Sequence, residues 1–203
     1  MAERRSLLVR IARLRARLTE ALARRRVALG FVFGAAVLGL AEPTATSLAA
    51  GLSIAAGGEA IRFWAAGHLN KSSEVTSSGP YRWCAHPLYV GSSVMGVGLA
   101  VTSANLVVAA LIATYLTVTL TAAIRTEEVF LRRTFGDRWD RYKHGDAPDG
   151  PGGPGRTVND RPFSLAQARA NREYRAVIGL GVAILLLVLK ATYNKMFWRT
   201  VGL

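Results

Sequence analysis

From Leu88 to Ile124 the chain runs for 37 residues without a charged side chain. A bilayer crossing needs about 20 apolar residues, so the run is too long for one helix and suits two short ones. A turn near Thr102-Ser103-Ala104-Asn105 divides it. The result is a helical hairpin whose two outer ends finish on the same side. At about 1.5 Å per residue they finish within roughly one helical turn of each other. His86, before the hairpin, and Glu127-Glu128, after it, are therefore expected to face one pocket.

Other apolar stretches flank the hairpin. Val27 to Ala41 is uncharged, Thr44 to Trp64 holds only Glu59 and Arg62, and Ala176 to Leu189 is apolar and must extend to about Tyr193 to cross. A secretory signal is the rival reading of the first stretch, but its basic n-region would be unusually long. The expected fold is all-α and integral to the membrane, with about five transmembrane helices.

Composition agrees with that fold. Half of the 203 residues are hydrophobic, yet the net charge is +13. Both hold if apolar residues form the spans and basic residues the loops. Nine Arg lie in residues 1–26, three Lys/Arg in 62–86 and eleven in 125–175, against three beyond residue 189. That asymmetry places the N-terminus and the His86 region on the cytoplasmic side. Residues 1–26 read as a basic amphipathic helix on an anionic leaflet, and 27–203 as one membrane domain with a Gly/Pro/Asp-rich linker at 145–162. Ser164 to Arg175 reads as a basic interfacial helix. The basic residues flank apolar runs and are not interleaved with aromatics, which argues against a nucleic-acid partner. Cys84 is the only cysteine, so an internal disulfide and a cysteine zinc cluster are excluded.

Each candidate residue also has a plain structural role. Pro87 suits a helix first turn and His86 its cap. Tyr89 suits an interfacial anchor, and Glu128 with Arg132 a surface pair at i, i+4. Gly96 and Gly98 suit close helix packing. Glu59 and Arg62 share a helix face near the membrane boundary, where ionisable groups are costly and usually paired.

Taken together, the pieces resemble the bacterial branch of the isoprenylcysteine carboxyl methyltransferase family and the related phospholipid methyltransferases. The matching stretches are Arg62-Phe63-Trp64-Ala65-Ala66-Gly67-His68-Leu69, Gly79-Pro80-Tyr81-Arg82 and His86-Pro87-Leu88-Tyr89-Val90-Gly91. Glu127-Glu128, Phe135-Gly136, Trp139 to Tyr142 and Asn171 to Arg175 follow. The resemblance implies a membrane enzyme that uses S-adenosylmethionine. It implies cofactor-binding roles for His86, Pro87, Tyr89, Gly96, Gly98, Glu127 and Glu128. Glu59, Arg62, Trp64, Trp139 and Tyr142 are then expected on the acceptor side. Relatives commonly carry Arg directly before the His, where this chain has Ala85; an arginine contact to the cofactor carboxylate is then missing or is supplied by Arg82 or Arg125. The expected reaction is carboxyl O-methylation of an isoprenylcysteine-like or other lipid acid. Phospholipid N-methylation is the alternative, and an NADPH-dependent membrane reductase or a non-enzymatic scaffold are the readings of another class.

Overall fold

The computed structural model describes residues 33–71, 73–145 and 161–193. The N-terminal arm expected over 1–26 and most of the linker expected over 145–162 lie outside them. Residues 1–39 and 40–203 form separate compact units. Of the first, residues 33–39 are described and helical. In the second, all regular structure among the described residues is helical.

Helix α1 (Ala45–His68) begins at a reciprocal cap. Thr44 Oγ1 accepts from Ser47 N–H at 3.1 Å, and Ser47 Oγ accepts from Thr44 N–H at 2.9 Å. Two otherwise unpaired N–H groups are thus satisfied. Helix α2 (Pro87–Ser103) packs antiparallel on α1 along a seam of small residues. A Cβ on Gly51 or Gly58 would collide with Thr102 and Gly98 or with Met95 and Gly91, and one on Gly98 with the backbone of Ala55 and Gly51. Only small residues let backbones approach this closely. Ser47 Oγ also donates to Thr102 O at 3.1 Å, fixing the start of α1 to the end of α2.

Ala104, in the left-handed region at φ 48°, and Asn105 make the hairpin turn. The Asn105 carboxamide accepts from the N–H groups of Val107 and Val108, an ordinary N-cap for α3 (Leu106–Phe135). The helix does not stop where the apolar run ends at Ile124; it continues through Arg125-Thr126-Glu127-Glu128 to Phe135. Gly136, at φ 52°, then turns the chain back into α4 (Asp137–His144), a conformation open mainly to glycine.

Among the described residues two helices are long and apolar enough to cross a membrane, α3 and α6 (Tyr174–Tyr193). Helix α2 is apolar but has 17 residues. Helix α1 has 24 but mixes Glu59 and Arg62 with many Ala and Gly. The first expected span lies partly outside the described residues. Of the four expected crossings that lie within the described residues, two therefore meet the requirement of length and apolarity.

The segment expected as an interfacial helix has another task. Its helical part is α5 (Leu165–Ala170), and the segment packs on the C-terminal end of α1. There Asn171 Nδ2 donates to the carbonyls of Ala66 and Leu69, Gln167 Nε2 donates to Leu69, and Ser164 N–H donates to Gly67. A helix leaves its last carbonyls unpaired; here a segment about 100 residues away in sequence satisfies them.

Candidate functional site

Pro87 occupies the first turn of α2, and His86 is its N-cap residue. The imidazole makes no capping bond. It points instead at the glutamates of α3. His86 Nε2 lies 3.3 Å from Glu128 Oε1, and Nδ1 lies 3.8 Å from Glu127 Oε2. Adjacent positions on a helix diverge by about 100°, and the ring fills the angle between them.

Helix α4 supports the ring from behind. Trp139 lies 5.9 Å from His86, ring to ring, and 5.5 Å from Tyr142. Both are 2% exposed, in an apolar cluster with Val75. The Tyr142 hydroxyl donates to Tyr81 O at 2.7 Å, tying α4 to the 3-10 turn Gly79–Arg82. Ala85 packs against the same cluster, so the position where the resemblance implies an Arg is here part of an apolar floor.

Glu128 does not pair with Arg132. Lys143, on α4, donates to Glu128 Oε1 at 2.7 Å, while Arg132 pairs with Asp140 at 2.8 Å. Lys143, with His86 adding to it, holds the Glu128 carboxyl below its ordinary range, against the opposing effect of partial burial. The phenol of Tyr89, in the first turn of α2, lies close enough to the Glu127 carboxylate to feel its charge. Arg125 is exposed on α3.

An elongated groove of about 470 Å³ opens from this cluster between α2 and α3. His86 and Tyr89 stand at its polar end; Val90, Val97, Leu116, Leu120 and Ile124 form much of its wall. The two glycines of Gly96-Val97-Gly98 face different neighbours. A Cβ on Gly96 would meet Leu116 of α3, and one on Gly98 would meet α1. Both set helix spacing, and neither lines the groove.

Arg62 and Glu59 lie on the other side of α2. The Arg62 guanidinium donates to Leu88 O and to Ser92 Oγ. It pairs with Glu173 at 2.7 Å and with Glu59 at 3.5 Å. Glu173, just before α6, is 6% exposed and Glu59 8%. Nothing local in the sequence marks Glu173 as the partner of Arg62; the stretch that contains it stood out only through resemblance. Trp64 makes an edge contact with Trp83 at 5.3 Å, away from the imidazole's own contacts.

The donor set suits S-adenosylmethionine. Two carboxylates and a phenol match its ammonium, sulfonium and ribose hydroxyls.

Part of the chain is 37% identical over 83 residues to a nickel-cobalt-cadmium resistance protein, NccN, of Alcaligenes xylosoxydans xylosoxydans, covering 40% of this chain and 38% of that protein. It is 37% identical over 87 residues to a cobalt-zinc-cadmium resistance protein, CzcN, of Cupriavidus metallidurans, covering 42% and 39%. The matched region thus spans under half the length of these relatives. No solved structure matches significantly. The model of the phospholipid methyltransferase family matches residues 31–138, more than half of the chain, and takes in the hairpin, His86 and both glutamates. The chain belongs to the phospholipid methyltransferase family.

Proposed function

We propose that the protein is a membrane-embedded methyltransferase that uses S-adenosylmethionine on a lipophilic acceptor. The observation that carries this reading is the groove between α2 and α3, polar at His86 and Tyr89 and apolar along its length, with the Glu127-Glu128 pair beside its polar end. When bound, the cofactor supplies an electrophilic methyl group. The chain's own task is placement and exclusion of water, because methyl transfer needs in-line approach more than a strong base. The glutamate pair supplies the negative charge that receives the cationic end, His86 stands between the two carboxylates, and the apolar wall takes the tail of the acceptor.

Carboxyl O-methylation of a lipid acid, such as an isoprenylcysteine-like one, needs no general base, since a carboxylate is ionised at neutral pH. A second reading, N-methylation of a phospholipid amine, is favoured by the two glutamates beside the polar end of the groove and by Arg62, whose guanidinium is engaged by Glu173, Ser92 and Leu88 rather than directed at an acceptor carboxylate.

Calorimetric titration of the detergent-purified protein with S-adenosylhomocysteine tests the shared reading. Saturable binding is expected; no binding of this ligand but binding of NADPH would replace it with the reductase. The initial rate against pH then separates the acceptors. An amine must lose a proton, so its rate rises with pH, whereas the rate with a carboxylate stays flat near neutrality.

A further inference from the structure

We propose that Lys143 sorts the two adjacent glutamates, holding Glu128 against His86 as a positioning group and leaving Glu127 as the carboxylate that receives the cationic end of the cofactor. The inference rests on the methyltransferase reading and assigns separate roles within its site.

Glu128 already has its cation. Its Oε1 accepts from Lys143 Nζ at 2.7 Å and faces His86 Nε2 at 3.3 Å. A second ammonium brought to that carboxylate would meet the like charge of Lys143. Glu127 stands differently. Among the described residues no Lys or Arg pairs with it, its nearest basic neighbour is His86 Nδ1 at 3.8 Å, and its side chain is 37% exposed against 27% for Glu128. Its charge acts on the phenol of Tyr89, a residue that lines the groove with His86. Glu127 is therefore the carboxylate nearer the groove, and its charge is not yet matched.

The device that brings Lys143 to Glu128 is built into the fold. Gly136 reverses the chain at φ 52°, and α4 then runs back beside α3. Trp139 and Lys143 are four residues apart and so share a face of α4. One packs on the ring of His86 and the other holds the carboxylate on its Nε2 edge. A partly exposed ion pair of this kind adds little to stability, so its consequence is orientation.

The test uses the full chain in detergent micelles, with Lys143→Met, Lys143→Arg, Glu127→Gln, Glu128→Gln and the double variant Lys143→Met/Glu128→Gln. Two quantities are measured, the affinity for S-adenosylhomocysteine and the ¹⁵N signals of the His86 imidazole without any cofactor. Glu127→Gln should weaken the ligand by about tenfold or more, the effect of a lost charge-assisted bond. Lys143→Met and Glu128→Gln should each weaken it by the same smaller factor, and the double variant by no more, because residues acting through one another are not additive. Both should shift the Nε2 signal of His86 in the same direction, and Lys143→Arg should restore it. Equal losses for Glu127→Gln and Glu128→Gln, or an unmoved His86 signal in Lys143→Met, overturn the sorting. Failure of the wild-type protein to bind the ligand overturns the methyltransferase reading, and the imidazole signals still decide whether Lys143 positions Glu128.

Discussion

His86 Nε2 stands 3.3 Å from Glu128 Oε1, although 42 residues separate them. The contact joins the first turn of α2 to the part of α3 that extends beyond the apolar run. It exists because the two helices of the hairpin return their outer ends to one level. The ring has apolar support from Trp139 and polar partners on both nitrogens, so its faces and its edges can be separated by mutation. His86→Phe keeps a ring against Trp139 and removes both polar edges. The fold should be retained, with a melting temperature within a few degrees of wild type. Affinity for S-adenosylhomocysteine should fall by about tenfold or more, as the glutamates lose the group between them. A large loss of stability with unchanged affinity would make His86 a packing residue.

Arg62 offers the opposite case. It is surrounded by Glu59, Glu173, Ser92 and Leu88 O, and removing it leaves two buried carboxylates without their cation. Breaking a buried pair in this way costs about 3–5 kcal/mol. Arg62→Leu should therefore unfold at a markedly lower temperature or fail to accumulate. Arg62→Leu combined with Glu59→Gln and Glu173→Gln should recover part of that loss, since no uncompensated charge remains. Equal stability of the single variant and the wild type would show that the cluster is hydrated and loosely held.

These two contacts show what could and could not be read from the chain. The nearness of His86 to Glu127-Glu128 was legible because it depends on helix rise and on an uncharged run, both countable in the sequence. The ion pair of Arg62 with Glu173 was not, because its partners are 111 positions apart and nothing local specifies the meeting. The same holds for Asn171 and Gln167 on the carbonyls of α1. At Glu128 a local rule misled. Arg132 lies at the favoured i+4 spacing, yet the turn at Gly136 brings Lys143 to Glu128 and Asp140 to Arg132. The crossing count was least legible. Long hydrophobic stretches are visible, but α1 consists largely of small residues that pack on α2 and is not apolar enough to meet the requirement of a span.

Gly98 distinguishes packing from cofactor contact. Its missing side chain admits the backbone of Ala55 and Gly51. Gly98→Val should force α1 and α2 apart and cost about 1–3 kcal/mol, as overpacking usually does. The measurement is thermal unfolding together with ligand titration of the folded fraction. A loss of stability with affinity retained in that fraction identifies a packing position; weakened binding at full stability would place Gly98 at the cofactor.

The pair of Lys143 with Glu128 makes stability depend on acid. The Glu128 carboxyl is held below its ordinary range, first by Lys143. A depressed carboxyl contributes stability that is present above its unfolded value, about 4.3, and is lost as pH falls through the folded value. The melting temperature of the wild type should fall between pH 5 and lower pH, and Lys143→Met should flatten that fall. The two proteins should differ most above pH 6, by a small amount because the pair is partly exposed, and should converge in acid as Glu128 is protonated. Parallel acid profiles would mean that Lys143 does not act on Glu128 in solution.

Topology follows from where the charges sit. Of the 26 Lys and Arg residues, 23 fall in 1–26, 62–86 and 125–175 and three near the C-terminus. Short basic loops stay on the cytoplasmic side, so the loop around Lys71 and the glutamates of α3 should both face the cytoplasm. The apolar part of α3, one of the two helices long and apolar enough to cross, then carries the Ala104-Asn105 turn to the opposite side. Cys84 is the only native thiol, which makes the prediction simple to test. In a Cys84→Ser background, Lys71→Cys should resist a membrane-impermeant maleimide in intact cells and react once the cells are permeabilised. Leu106→Cys, at a position 86% exposed beside the turn, should react without permeabilisation. The reverse pattern would invert the protein and put His86 with both glutamates on the far side of the membrane. A cytoplasmic supply of S-adenosylmethionine could not reach them there. Labelling of both positions in intact cells would mean that α3 does not cross, and the groove between α2 and α3 would then face water rather than lipid.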